Sequence, residues 1–166
     1  MRRGRSGPRR RWNIEMLVDT NIFLEVELAQ EHAEASKNFL AMVRDGSIRA
    51  ATTDFHVDSI VLVMENYGKS WKDLAVFLAS LFLYKGLVIH PIGMGGRLRA
   101  VHLMRDYGID FDDALALQAL RDLSIRTLVS YGRDFNRGFP CDPPLCIPLS
   151  AEEGSREKGL YLAPSQ

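Results

Sequence analysis

Apolar residues recur along this chain with two periods, and their alternation predicts the order of its elements. Short apolar runs, such as the one that ends at Asp19, alternate with longer stretches in which apolar residues return every three or four positions. These are the periods of a buried strand and of a helix. Strands are predicted over residues 14–19, 47–52, 87–92, 126–131 and 145–149. Helices are predicted over residues 21–30, 31–44, 54–67, 71–85, 98–107 and 111–123, with a flexible loop over 93–96.

Strands that alternate with helices predict a central parallel sheet covered on both faces, a three-layer α/β/α fold. We expect this domain to span residues 13–150. Residues 1–12 are rich in Arg, Gly, Pro and Ser, and residues 151–166 in Glu, Ser, Gly and Pro. Such compositions bury too little apolar surface to fold, so we expect a disordered arm and a disordered tail.

The charge balance is neutral over the 166 residues but unevenly distributed. Six Arg and no acid lie within residues 2–11, so the rest of the chain carries 15 basic and 21 acidic residues. The acidic excess outside residues 2–11 argues against a broad basic face for nucleic acid. The Arg-rich arm can contact phosphates without recognising the nucleotide sequence. The arm has two interpretations that the sequence leaves open: an RNA-binding extension, or a translation start at Met16 that omits it.

No segment predicts export or membrane insertion. The longest apolar stretch, 74–84, is interrupted by Ser80 and is far shorter than the roughly 20 residues that cross a bilayer. No apolar core of a signal peptide follows the Arg cluster. Cys141 and Cys146 lack the further ligands of a zinc site and are expected to be reduced thiols. We therefore expect a cytoplasmic protein.

Three carboxylates lie where predicted strands and helices meet loops. Asp19 ends the first strand, Asp113 opens the helix that leads into strand 126–131, and Asp134 follows that strand. In open α/β sheets, sites form beyond the carboxyl ends of the strands. Mg²⁺ and Mn²⁺ prefer oxygen ligands, so the sequence predicts a Mg²⁺ or Mn²⁺ site formed by these three residues.

Four segments together carry a resemblance to a known family: Leu17-Val-Asp-Thr-Asn-Ile-Phe-Leu24, Thr53-Asp-Phe-His-Val-Asp-Ser-Ile60, Phe111-Asp-Asp-Ala-Leu115 and Leu128-Val-Ser-Tyr-Gly-Arg-Asp-Phe135. In this order and spacing, they resemble the PIN-domain family of metal-dependent ribonucleases, particularly the VapC-like toxins. The resemblance covers roughly residues 14–150.

The resemblance implies an activity, a site and partners. Asp19, Asp113 and Asp134 match catalytic, metal-binding acids, and Asn21 matches the polar residue beside the first acid. Bound metal would activate water to attack an RNA phosphodiester. A small antitoxin protein would occupy the cleft or insert a basic side chain among the acids. Homodimerisation through early helices is also implied.

Two positions depart from the family pattern: Ser59 stands where a Glu is usual, and Gly132 where many members have an Asp. Asp58 cannot replace that Glu, because one residue along a helix turns the side chain by ~100°. Asp112 is predicted as an outer ligand through water, with Ser59 and Ser130 as supporting hydrogen-bonding groups. These features favour one well-held metal ion over two, and weak or strongly metal-dependent activity.

Structural interpretations compete with these roles. Asp110 and Asp113 are spaced as the N-cap and third residue of a helix, Asp19 can equally cap a helix, and Asp54 is read as an N-cap. His56 is interpreted as structural, because no partner at ligand spacing accompanies it.

Two functions therefore remain open. The first is a divalent-metal-dependent ribonuclease, the toxin of a type II toxin–antitoxin pair. The second, motivated by Ser59 and Gly132, is a catalytically weakened PIN-like module that binds RNA or protein without cutting. A receiver-like phosphoacceptor domain is disfavoured, because no Lys follows strand 126–131 at a suitable place.

Overall fold

Five strands and six helices alternate over residues 13–131 and 145–147, the part of the chain that the computed structural model describes. The strands are β1 (Met16–Val18), β2 (Ala50–Thr53), β3 (Leu87–His90), β4 (Thr127–Val129) and β5 (Leu145–Ile147). The helices are α1 (Thr20–Glu27), α2 (Ala33–Asp45), α3 (Asp54–Asn66), α4 (Trp71–Leu81), α5 (Met94–Tyr107) and α6 (Phe111–Leu123). The predicted arm and tail, with Gly132, Asp134 and Cys141, lie outside the described residues.

The five strands form one parallel sheet in the order β3-β2-β1-β4-β5. The central strand β1 pairs with β2 on one side and β4 on the other, and β5 lies at the edge beside β4. Because every described strand runs in the same direction, their carboxyl ends share one edge. This edge is where the sequence places the candidate acids.

Helices cover both faces of the sheet and confirm the three-layer α/β/α prediction. Successive side chains of a strand point to opposite faces. Leu17 of β1 packs in a core with residues of α5 and α6, whereas Val18 packs in a second core with residues of α1 to α4. Within the described ranges, no helix has the length and apolar content needed to cross a membrane.

Helix α4 ends at Leu81, so the prediction that it continues to residue 85 was wrong. The backbone N–H groups of Lys85 and Gly86 donate to the carbonyls of Arg44 and Val43, each at 3.0 Å. These bonds hold the chain against the end of α2 and turn it into β3. Long-range backbone contacts thus override the local apolar pattern.

Helix α5 begins at Met94, so the prediction of a loop over residues 93–96 was also wrong. Gly93 is the N-cap in an extended conformation. A Cβ on Gly96 would lie 2.8 Å from the Cγ2 of Ile92. Gly96 therefore allows helix α5 to pack closely against the Ile92 side chain.

The N-caps of α6 and α3 fix the helix ends that face the carboxyl edge. The carboxylate of Asp110 accepts a hydrogen bond from the Asp113 N–H at 2.9 Å, which confirms the predicted cap. For α3, Thr53 is the cap and the prediction for Asp54 was wrong. The Asp54 carboxylate instead accepts from the N–H of Ile92 at 3.0 Å and so anchors the segment after β3.

Candidate metal centre

Three side chains from separate elements meet at the carboxyl edge of the sheet. Asp19 follows β1, His56 lies in the first turn of α3 directly after β2, and Asp112 lies in the first turn of α6. Each offers one ligand atom, and these atoms all lie within 4.8 Å of one another. Since β1 and β2 are neighbours in the sheet, their carboxyl ends bring Asp19 and His56 together.

Hydrogen bonds fix the carboxylate of Asp19. Its Oδ1 accepts from the backbone N–H of Thr20 at 2.7 Å. Its Oδ2 accepts from Asn21 Nδ2 at 3.0 Å and from Ser130 Oγ at 2.5 Å. The Oδ1 of Asn21 accepts from the N–H of Tyr131 at 3.2 Å, which ties this group to the end of β4. Asp19 is therefore held in one orientation before any ligand binds.

The surroundings of Asp19 disfavour its negative charge. Burial raises the pKa of Asp19 above its usual value, and the nearby carboxylate of Asp112 raises it further. Hydrogen bonds from Ser130 and Thr20 and the charge of His56 lower the pKa without offsetting the burial. A bound cation would stabilise the ionised carboxylate in this environment.

His56 is completely buried at this edge. Its backbone N–H donates to Thr53 Oγ1 at 3.0 Å, which places it in the capped first turn of α3. Its Nε2 lies 3.0 Å from Asp112 Oδ1. Nevertheless, neither ring nitrogen has a hydrogen-bond partner among the described residues, and neither does that oxygen of Asp112. The contact is close but lacks hydrogen-bond geometry.

The structure brings four of the predicted site residues together: Asp19, Asn21, Ser130 and Asp112. Asp112, predicted as an outer ligand through water, contributes an atom to the group itself. Asp113 is half-buried one residue further along α6, ~100° around the helix, and is not one of the three grouped residues. Its role as a ligand stays a prediction.

Two further predicted residues remain, Ser59 and Asp134. Ser59 is half-buried on α3, three residues after His56 and so on the same side of that helix. Asp134 lies outside the described residues, and its catalytic and metal-binding roles stay predictions.

His56 is the member of the group that the sequence did not reveal. A lone His in an apolar helix is usually structural, and its burial cannot be read from its neighbours in sequence. One signal was available. His56 follows the carboxyl end of predicted strand 47–52 by four residues, close to the kind of position that singled out Asp19.

The donor set fits a divalent cation. Two carboxylates supply negative charge, and an imidazole with no hydrogen-bond partner among the described residues supplies a nitrogen. The carboxylate oxygens suit Mg²⁺ and Mn²⁺, and the imidazole suits later first-row divalent metals.

In comparison with known families, residues 16–138 match the model of the PIN domain. This range contains all four segments quoted above. No curated protein matches the sequence.

Comparison with solved structures yields neighbours of low sequence identity. VapC20, a sarcin–ricin-loop-cleaving toxin of Mycobacterium tuberculosis, superposes with a TM-score of 0.61 at 15% identity, over 74% of this chain and 93% of that one. A toxin–antitoxin complex from Klebsiella pneumoniae gives a TM-score of 0.59 at 16% identity, over 82% and 98%. VapBC2 of Rickettsia felis, bound to a promoter DNA fragment, gives 0.56 at 17%, over 81% and 98%. At these identities the likeness shows a shared fold.

Proposed function

Because the chain belongs to the PIN-domain family, we propose that it is a divalent-metal-dependent ribonuclease and the toxin of a type II toxin–antitoxin pair. The observation that carries this proposal is the convergence of Asp19, Asp112 and His56 within 4.8 Å at the carboxyl edge. Acids gathered from distant parts of the sequence repel one another. Such an arrangement is expected where a cation is bound.

We assign Mg²⁺ or Mn²⁺ as the ion, with Asp19 and Asp112 holding it. Asp113 and Asp134 remain proposed catalytic acids beside them. When bound, the ion supplies Lewis acidity toward a phosphoryl oxygen and lowers the pKa of water. Asn21 and Ser130 orient Asp19, since both donate to its Oδ2. Ser59 is proposed as a hydrogen-bonding group for the substrate phosphate.

A small antitoxin protein is the proposed partner. An apolar groove of about 460 Å³ opens on α5, between Met94, Leu98, Val101 and Phe111. Phe111 directly precedes Asp112, so a bound segment would reach from this groove to the acids. The Klebsiella pneumoniae neighbour is a toxin–antitoxin complex. We further propose a homodimer that acts on RNA in the cytoplasm.

A cleavage assay with added metal tests the proposal. Wild-type protein, stripped of metal by a chelator, should cut structured or single-stranded RNA only after Mg²⁺ or Mn²⁺ is added. Loss of an outer-shell partner alone typically costs 10–100-fold in metal affinity or activity. Asp19→Asn or Asp112→Asn, which removes a proposed ligand, should therefore lower cleavage by more than about 100-fold.

The matched control is Asp58→Asn, because Asp58 is an exposed acid on α3 outside the group. It should retain wild-type cleavage. A loss of cleavage in Asp113→Asn as large as that in Asp112→Asn would show that Asp113 shares the proposed role of Asp112. Cleavage that persists in chelator, or in Asp19→Asn, would reject the metal-dependent mechanism.

The alternative is a weakened module that binds RNA or protein without cutting, and Ser59 and Gly132 favour it. It predicts no cleavage with either ion while the chain stays folded and still retains RNA in a filter-binding assay. Metal-dependent cleavage that is lost in Asp19→Asn would exclude it.

A further inference from the structure

We propose that His56 is a metal ligand that replaces the missing acid of α3, so that the centre prefers imidazole-binding transition-metal ions over Mg²⁺. The inference rests on the proposed function in that it concerns the same metal centre. It differs by naming a ligand that the family resemblance does not supply and by stating which class of ion that ligand selects.

The first argument is the burial of His56 without hydrogen bonds. The side chain has no exposed surface. Both ring nitrogens lack a hydrogen-bond partner among the described residues. Buried polar groups are nearly always hydrogen-bonded, because desolvating one without a partner is unfavourable. A metal ion bound at Nε2 would remove this deficit for that nitrogen.

The second argument is the direction of the ring. Its Nε2 points toward the acids and lies 3.0 Å from Asp112 Oδ1, an oxygen that is itself unpartnered among the described residues. The Nε2 of His56 and the Oδ1 of Asp112 thus lie close together beside Asp19, but they form no hydrogen bond with each other. The ligand atoms of all three residues lie within 4.8 Å. Donors that share one ion at about 2.1 Å lie at most about 4.2 Å apart, which small side-chain movements achieve.

The third argument is the position of His56 on α3. The family resemblance implies a Glu at position 59, where this chain has Ser59. Residues three apart on a helix are neighbours on one side. A ligand at His56 therefore reaches the centre from the side of α3 that would carry the absent acid, one turn closer to the helix start.

The chemical consequence is a change in metal preference. Mg²⁺ requires oxygen ligands and gives up its waters reluctantly. Imidazole suits Fe²⁺, Ni²⁺, Cu²⁺ and Zn²⁺, and affinity for divalent ions rises from Mn²⁺ through Co²⁺ to Cu²⁺. Replacing a carboxylate by an imidazole removes negative charge that Mg²⁺ needs and adds a nitrogen that later ions favour.

Calorimetric titration of the metal-free full chain with Co²⁺ and Mg²⁺ tests the inference. Wild-type protein should bind Co²⁺ more tightly than Mg²⁺. The variant His56→Phe retains a ring of similar shape but no nitrogen. It should weaken Co²⁺ binding by at least the 10–100-fold typical of a lost outer-shell partner and leave Mg²⁺ binding nearly unchanged.

The control is His90→Phe. His90 also faces a carboxylate, with Nε2 3.6 Å from Asp122 Oδ2, but Asp122 lies ten residues along α6 from Asp112, about 15 Å by helical rise. This variant should bind both ions as the wild type does. The visible absorption of bound Co²⁺ provides a second readout, because loss of a nitrogen ligand changes the spectrum.

An unchanged ratio of Co²⁺ to Mg²⁺ affinity in folded His56→Phe would overturn the inference and leave His56 as a structural contact between α3 and α6. If that variant does not fold, the ring ¹⁵N resonances of the wild-type chain decide. A His56 resonance that shifts on adding Zn²⁺ supports ligation, and one that stays in place overturns it.

The two proposals fail in different ways. Co²⁺ binding that depends on His56, without RNA cleavage by any ion, would reject the nuclease and retain the ligand assignment. Mg²⁺-dependent cleavage that His56→Phe leaves intact would retain the nuclease and reject the ligand assignment.

Discussion

Asp19 illustrates how single residues of this protein are prepared for a ligand. Its carboxylate is buried enough to raise its pKa, yet three donors hold it in place. Asn21 has a double role, since it donates to Asp19 and accepts from the backbone of Tyr131. The orientation of the acid therefore depends on a neighbour that is itself fixed to the end of β4.

Removal of the Asn21 side chain should reveal this positioning role. Asn21→Ala is expected to weaken Mn²⁺ binding by about 10–100-fold, because Asp19 loses the donor that orients it. Calorimetry gives the affinity, and a thermal melt shows that the fold persists. Asn66→Ala, at the exposed end of α3, should match the wild type in both measurements. Equal affinity in Asn21→Ala would show that Asp19 needs no such support.

The sequence predicted individual site residues only in part. Asp19, Asn21 and Ser130 could be predicted because each flanks the carboxyl end of a buried strand. Which of Asp112 and Asp113 joins the group could not be predicted, since this depends on the rotation of α6 about its axis. The place of His56 in the group could not be predicted either, because it depends on how α3 and α6 pack.

At the scale of elements, close backbone contacts determine where helices begin and end. Gly86 lies between α4 and β3, and its N–H donates to Val43 while its carbonyl accepts from Ala50. A Cβ there would lie 2.1 Å from the Ile48 carbonyl oxygen and 2.7 Å from that of Val43. No side chain fits this position without moving the backbone.

The variant Gly86→Ala should therefore destabilise the protein by about 1–3 kcal/mol or more, as overpacking does. Denaturant unfolding measures the loss. Gly95→Ala is the control, since a Cβ there meets only the end of the Arg99 side chain at 3.6 Å. It should be neutral or slightly stabilising, because Ala favours a helix over Gly. Equal stability of both variants would contradict this account of the turn.

Elements with a clear cap were predicted well, and elements fixed by distant contacts were not. The range of α6 was predicted because Asp110 begins it with a recognisable N-cap. The start of α5 was missed because Gly95 and Gly96 were interpreted as a loop. The role of Gly96, close packing against Ile92, involves tertiary structure that no local pattern reports.

At the scale of the whole molecule, large apolar side chains are exposed on α4 and directly after it. Val76 on α4 is 70% exposed, and Phe82 directly after that helix is 92% exposed. Large exposed apolar patches commonly mark interaction sites. The proposed homodimer would bury these side chains, as the resemblance implies for the early helices.

Light scattering after gel filtration tests the dimer. The wild type should have twice the 18.7 kDa mass of one chain, and the double variant Val76→Asp/Phe82→Asp should have the mass of one chain, because buried unpaired charge opposes association. Met94→Asp changes an equally accessible side chain on α5, 80% exposed, and should stay dimeric. A wild type of single-chain mass would remove the dimer from the proposal.

The overall architecture was predictable because the alternation of strands and helices restricts the choice to a parallel sheet. The spatial order β3-β2-β1-β4-β5 was not predicted. That order depends on pairings between distant segments, such as Leu17 with Leu128. The local periodicity of the sequence does not indicate such pairings.

The starts of three helices converge on the proposed centre: Asp19 caps α1, His56 lies in the first turn of α3, and Asp112 in the first turn of α6. The amino end of a helix carries a partial positive charge from its aligned peptide dipoles, and backbone N–H groups there favour phosphate. These groups would offset part of the repulsion between the acids and an RNA phosphate, and a bound cation would offset the rest. A broad lysine- or arginine-lined track is then unnecessary for a phosphodiester to approach this edge.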